Sequence, residues 1–225
     1  MPVISFATSK GRACKTTSAI VLGTELAEGA RVIMIDADPA KRLTRWSTLA
    51  PLPQSLNVVT SQGERFIQDE ISDAQSKATF VLIDLEGSAS RLTSFAIAES
   101  DLVVIPSGEE QQDADAAIET LAEIEMDGRA RCRTIPAAIL FARTSAAVKS
   151  KLEKPIHAKT MKVGRAMTTE LHRRTAFSSL HNAGCGLRQL DPADVNGIDK
   201  AIINAQAFAS EIIDILEETR HAKTA

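Results

Sequence analysis

At 225 residues the chain is long enough to bury one sizeable core and too short for two. Its apolar share of 44%, charged share of 24% and formal net charge of −3 are those of an ordinary globular protein and exclude a polycation, so nucleic acid could be held only by a local patch. No run approaches the ~20 apolar residues that span a bilayer, and "MPVISFATSK" lacks the charged segment and cleavage site of a secretory signal, which points to a soluble, cytoplasmic chain.

Taken in chain order, "PVISFAT" (2–8) reads as a buried strand and 15–28, "KTTSAIVLGTELAE", as a helix with apolar residues at helical spacing. "RVIMID" (31–36), "FVLID" (80–84) and "LVVIP" (102–106) are further near-continuous apolar runs, 111–126 is helical, and "IPAAILF" (135–141) is a fifth strand. Runs of this kind are buried on both faces, which means a parallel sheet under helices. The expectation is therefore an α/β fold, a mostly parallel twisted sheet flanked by helices, with residues 1–225 forming a single domain. Ligands of such sheets gather at the carboxyl ends of the strands. Those ends here carry Ser9–Thr17, Asp36–Asp38, Asp84–Ser88 and Pro106–Asp113.

The first of these ends, "SKGRACKTT" (9–17), follows a strand and opens a helix. That context aims backbone N–H groups and the positive end of the helix at an anion. Lys15 is placed to reach β- and γ-phosphates, Thr16 to ligate Mg²⁺ and Thr17 to reach the α-phosphate.

The extra lysine, Lys10, makes this loop resemble the deviant Walker A sequence, Lys-Gly-Gly-x-Gly-Lys-Thr, of the ParA/MinD ATPase family. "MIDADP" (34–39) is similar to that family's Asp-x-Asp-Pro element, and "VLIDLEGS" (81–88) to its Walker B strand and second switch. "SDLVVIPSGEEQQDADAA" (100–117) is similar to the small plasmid-borne partition ATPases in the placement of Pro106 and Asp113. The resemblance implies a P-loop ATPase using ATP and Mg²⁺. Lys10 would reach a partner's nucleotide across a dimer, and Lys15 would hold phosphates in its own subunit. Asp38 would orient the attacking water, while Thr16, Asp36 and Asp84 would serve the metal. Gly11, Arg12, Ala13, Cys14, Lys15, Thr16 and Thr17 would form the nucleotide cradle. Arg143 and Pro192, the latter in "QLDPAD" (189–194), would flank the adenine. Partners implied are a second copy of the chain, non-specific DNA and a centromere-binding adaptor, with a nucleoid-associated location. A start so close to the phosphate loop implies no appended winged-helix domain.

Two positions depart from the family's pattern. Arg12 and Cys14 stand where such loops place glycine, which tolerates positive φ and close approach of phosphate. A side chain forced into left-handed geometry costs about 1–3 kcal/mol, so weak binding and slow turnover are expected. Arg12 brings bulk to a surface that two subunits would press together, although its charge is also suited to phosphate. A non-hydrolysing DNA-binding module on the same fold is the alternative, as is positioning of another cargo such as a conjugative-transfer complex. The three cysteines, Cys14, Cys132 and Cys185, fit no disulfide framework or zinc pattern. Cys14, at a helix N-terminus, is also a candidate redox switch.

Residues 143–174 carry Arg143, Lys149, Lys151, Lys154, Lys159, Lys162, Arg165, Arg173 and Arg174 against Glu153 and Glu170. This stretch is either a solvated helix face or a salt-sensitive contact surface for the DNA backbone, and the resemblance favours DNA. The last helical stretch, 194–219, has an apolar stripe and an acidic outer face. A membrane-binding helix would be basic on that face, so this one is expected to pack on the sheet, with no membrane partner.

Overall fold

The structure, a computed structural model, describes residues 1–10, 13–145 and 161–224. Its central strand, β1 (Val3–Phe6), is followed by helix α1 (Lys15–Leu26), strand β2 (Val32–Ala37) and helix α2 (Arg42–Ser47). Next come β3 (Leu56–Thr60), α3 (Ile67–Lys77), β4 (Phe80–Leu85), α4 (Arg91–Ala98), β5 (Leu102–Ser107) and α5 (Gln111–Ala130). The chain closes with β6 (Ala137–Thr144), β7 (Leu171–His172), α6 (Thr175–Ala183) and α7 (Ile198–Thr224). The seven strands form one parallel sheet in the order β3-β2-β4-β1-β5-β6-β7.

Strand residues alternate between two buried layers, as the period of two requires. Ile4, Phe6, Val32, Met34, Leu82 and Val104 face the layer built with α1, α6 and α7. Val3, Ile33, Ile35, Val81, Ile83 and Val103 face the opposite layer, closed by α3, α4 and α5. Helix α1 lies close to the sheet because Gly23 has no side chain. A Cβ there would come within 2.6 Å of Met34 Sδ and 3.2 Å of Leu82 Cδ1. The phosphate-loop helix is thus held hard against β2 and β4.

Differences from the sequence reading have local causes. β3 is no continuous apolar run because it is the sheet's edge, with Asn57 and Val59 exposed between more buried neighbours. β6 runs on to Thr144 through an irregularity at Arg143, whose φ of 62° breaks the register between Ala142 and Thr144. The final helix starts at Ile198 rather than 194. Asp191 turns the chain back by accepting the Ala193 N–H at 2.8 Å, and Gly197 adopts a φ of 73°. Once started, α7 buries Ala201, Ala205, Phe208, Ile212 and Ile215 in the core, as expected of a helix packed on the sheet.

Candidate functional site

β1 ends between β4 and β5, so the loop that follows it emerges at the middle of the sheet's carboxyl edge. The loop's leading side is anchored to α5. Ser9 N–H donates to Thr120 Oγ1 at 2.9 Å, and the Ser9 hydroxyl donates to Glu119 Oε2 at 2.9 Å. The trailing side enters α1 through Cys14 at φ 62°, ψ 18°, the left-handed geometry that glycine serves elsewhere. Gly11 and Arg12 lie outside the described residues.

The side chain of Cys14 does not cap α1, and the first turn of the helix holds no acidic residue. By contrast α4 is closed by Ser90, whose hydroxyl accepts the Thr93 N–H at 3.2 Å. An uncapped helix start leaves amide donors and the positive end of the helix for an anion. Lys15 is buried beside it. Burial lowers the Lys15 pKa, and the nearby Asp84 and Asp38 carboxylates oppose that shift.

Asp84, at the end of β4, accepts the Thr16 hydroxyl at 2.7 Å through Oδ2. Its Oδ1 is buried with no hydrogen-bond partner among the described residues. Burial pushes the Asp84 carboxyl up to about 7, the Thr16 hydrogen bond pulling the other way and Asp36 adding to the rise. A buried carboxylate oxygen without a partner is costly. A hydroxyl and a carboxylate side by side are the hard oxygen donors that Mg²⁺ takes, so the residues fit that ion.

Asp36 and Asp38 organise the segment after β2. Asp36 Oδ2 accepts both the N–H and the hydroxyl of Thr44, each at 2.7 Å, and its Oδ1 accepts the Asp38 N–H at 3.2 Å. Both oxygens of Asp36 are thereby committed to protein donors, which makes it a brace for the 38–44 segment. Asp38 Oδ1 accepts the Ala40 N–H at 2.8 Å, and its Oδ2 meets the Arg42 guanidinium at 3.2 Å.

Lys10 turns back onto its own chain, with Nζ 2.6 Å from Asp113 Oδ1 in the first turn of α5. Both residues line a cavity of about 440 Å³ with Ala13, Cys14, Arg143 and Arg173. Burial raises the Cys14 thiol pKa, and the adjacent Arg143 guanidinium partly offsets that rise. All three cysteines are free.

The structure therefore brings together Lys10, Ala13, Cys14, Lys15, Thr16, Thr17, Asp36, Asp38 and Asp84, with Arg143 at the rim. Pro192 is not among the residues that line the cavity beside Arg143. The neighbours of Pro192, namely Leu190, Asp191 and Asp194, line a separate cavity of about 480 Å³ with Pro51 and Asn182. Of the basic stretch, Lys149, Lys151, Lys154, Lys159 and the acidic Glu153 lie outside the described residues. Arg165 is paired with Glu218 at 2.8 Å, and Arg173 is exposed beside the cavity. Sequence reasoning misses Arg42, Thr44 and His181, the last within 2.8 Å of Thr17. Thr44 stands five residues past the Asp-x-Asp-Pro element, a spacing that could have marked it as a brace; nothing local marks His181.

Residues 1–217 match the VirC1 protein family. Protein ParA of Rhizobium radiobacter is 37% identical over 220 residues, which cover 97% of this chain and 99% of that protein. An aspartate-to-alanine variant of McdA from Cyanothece, solved in complex with ATP, matches with a TM-score of 0.71 at 18% identity, covering 92% of this chain and 96% of that one. A plasmid partition protein of Borrelia burgdorferi bound to AMPPNP matches with a TM-score of 0.70 at 16% identity, covering 95% and 98% of the two chains. At these identities the two structural likenesses speak for the fold.

Proposed function

The chain belongs to the VirC1 family, and from that premise we propose that it is an ATP-dependent dimerising switch. In this reading it binds DNA non-specifically and drives segregation of plasmid or chromosomal DNA through slow, partner-stimulated hydrolysis. One observation carries the reading: the start of α1, uncapped by Cys14, with buried Lys15 beside it and Thr16 bonded to an Asp84 whose second oxygen has no partner among the described residues. The 37% identity to a protein named ParA and the nucleotide complexes of two proteins of the same fold support it.

In this reading the α1 amides and Lys15 hold the phosphates, and Thr17 donates to the α-phosphate. Thr16 and Asp84 would hold Mg²⁺, which would supply charge neutralisation of the phosphates when bound. Asp38 orients the attacking water, on the end of a segment that Asp36 braces through Thr44. Positioning and charge do most of the work in phosphoryl transfer, so a site with a weakly activated water turns over slowly until a partner protein completes it. Lys10 completes the site of a second copy of the chain, and must first leave Asp113 to do so. Arg12 and Cys14, standing where the family's loops place glycine, keep affinity low. DNA is held by the basic stretch 143–174, of which Arg143 and Arg173 are exposed, and a centromere-binding adaptor triggers hydrolysis.

Sedimentation with and without ATP and Mg²⁺ tests the switch, for this chain and for the Arg12→Gly, Cys14→Gly double variant. Nucleotide-dependent dimers are expected, more of them in the double variant. A monomer under every condition, in both proteins, would refute the reading. DNA affinity should fall steeply with salt, and phosphate release should rise when DNA and adaptor are present together.

A further inference from the structure

Thr17 and His181 are 164 positions apart in the chain, yet Thr17 Oγ1 lies 2.8 Å from His181 Nε2. The contact is a product of packing. α6 buries Ala176, Phe177 and Leu180 in the layer it shares with α1, and the next residue, His181, is delivered to the side of the phosphate loop. Burial holds the His181 imidazole below its usual pKa, and the positive charge of Arg42 adds to that effect. The ring facing Thr17 is therefore neutral near pH 7.

A neutral imidazole has one N–H and one lone pair, and a threonine hydroxyl has a single proton to give. Two arrangements follow. If His181 Nε2 is bare, Thr17 spends its proton on the ring and turns only lone pairs toward an anion. If Nε2 carries the proton, the ring donates to Thr17 Oγ1 and the Thr17 proton is free for another acceptor. A phosphate oxygen repels the first arrangement and hydrogen-bonds with the second. Both arrangements are neutral, so the exchange needs no charge placed beside Arg42.

We propose that His181 is a positioning residue of the nucleotide site: its Nε2–H donates to Thr17 Oγ1 and thereby turns the Thr17 hydroxyl into a donor to a phosphate oxygen of the bound nucleotide. The assignment rests on the nucleotide reading given above. It makes His181 act through Thr17 and not by touching the nucleotide. Since the α-phosphate is common to ATP and ADP, His181 supports both nucleotides equally, unlike a residue that senses the γ-phosphate.

Calorimetric titration of the full chain with ATP and with ADP, each with Mg²⁺, tests the assignment in wild type, His181→Leu, His181→Gln, Thr17→Ala and the His181→Leu, Thr17→Ala double variant. His181→Leu is expected to weaken ATP and ADP alike by about five- to tenfold, the size of one lost hydrogen bond. His181→Gln, whose amide N–H₂ reaches a similar place, is expected to recover to within about twofold of wild type. Adding Thr17→Ala to His181→Leu should cost less than Thr17→Ala costs in the wild-type background, because the two side chains are coupled. Additive losses, or a glutamine variant as weak as the leucine variant, overturn the proposal. Imidazole ¹⁵N resonances of the wild-type chain provide a check that needs no variant. Nε2 should be protonated at saturating nucleotide, and a bare Nε2 there also overturns it. A wild type that binds neither nucleotide, with affinity no better than Lys15→Ala, is a different failure, because it removes the nucleotide reading itself.

Discussion

The ammonium of Lys10 and the carboxylate of Asp113 meet at 2.6 Å, across 103 positions of sequence. Asp113 is itself seated against Gly108, where an added Cβ would collide with the carboxylate. The side chains are 34% and 15% exposed, so the pair is partly screened and contributes at most about 1 kcal/mol. Releasing it frees the lysine that the proposed dimer needs. Asp113→Ala is expected to tighten ATP-dependent self-association about two- to fivefold by sedimentation, and Lys10→Ala to abolish it. An Asp113→Ala variant that associates more weakly than wild type would show that the aspartate serves the dimer and does not restrain it.

Cys14 occupies φ 62°, ψ 18° at the entry to α1. Replacing it with glycine relieves strain of about 1–3 kcal/mol, from which the added freedom of the unfolded chain subtracts up to about 1 kcal/mol. The expected net gain for Cys14→Gly in urea denaturation is about 1 kcal/mol. Cys14→Val, with a branched Cβ in the same geometry, is expected to lose more than about 1 kcal/mol. Equal midpoints for the two variants would mean that the loop changes shape to suit its side chain.

Asp84 gives the fold a distinct pH dependence. Burial raises its folded pKa to about 7 from an ordinary value of 3.8, so between these values the folded state binds the proton more tightly than the unfolded chain. Its contribution to stability is fully present below the unfolded pKa and is lost as pH rises through about 7. Without divalent cations, Asp84→Asn should flatten that decline and raise stability at pH 8 by about 1–4 kcal/mol. Thermal unfolding between pH 5 and pH 8 in EDTA measures the effect. A steeper decline in the variant contradicts the assignment.

Gly184 ends α6 at φ 66°, and a Cβ there would run into Leu49 and lie 2.9 Å from both the Ala50 amide nitrogen and the Trp46 carbonyl oxygen. Strain and collision with backbone act together, so Gly184→Ala is expected to destabilise by about 2–4 kcal/mol. Differential scanning calorimetry reads this as a lowered midpoint. Gly29, which has open space around it, serves as the neutral comparison.

Much of the sheet is legible in the amino-acid sequence, because β1, β2, β4, β5 and β6 are apolar on both faces and announce themselves as unbroken runs. β3 is not, since an edge strand mixes exposed Asn57 and Val59 with buried Leu56 and lacks the run. β7 has only two residues and owes its pairing to β6. The same division holds at the site. Lys15 and Thr16 open the helix that follows β1, and Asp84 lies at the end of the neighbouring β4, all within recognisable motifs, so their convergence follows from the parallel topology. The partners of Lys10 and Thr17 do not, because each contact joins residues more than a hundred positions apart and depends on which helix lies beside which. Asp36 is legible as an important acid, but its particular employment by Thr44 is not.

Ser9 ties the beginning of the phosphate loop to the middle of α5, and Lys10 ties the next residue to that helix's first turn. α5 has 20 residues, which at ~1.5 Å each makes a rod about 30 Å long. Its far end stands at Gly128 and Arg129, beside a hollow of about 730 Å³. The two attachments, at the first turn and at the middle, hold the opening of the phosphate loop against one half of a stiff rod, so that half cannot move without the loop.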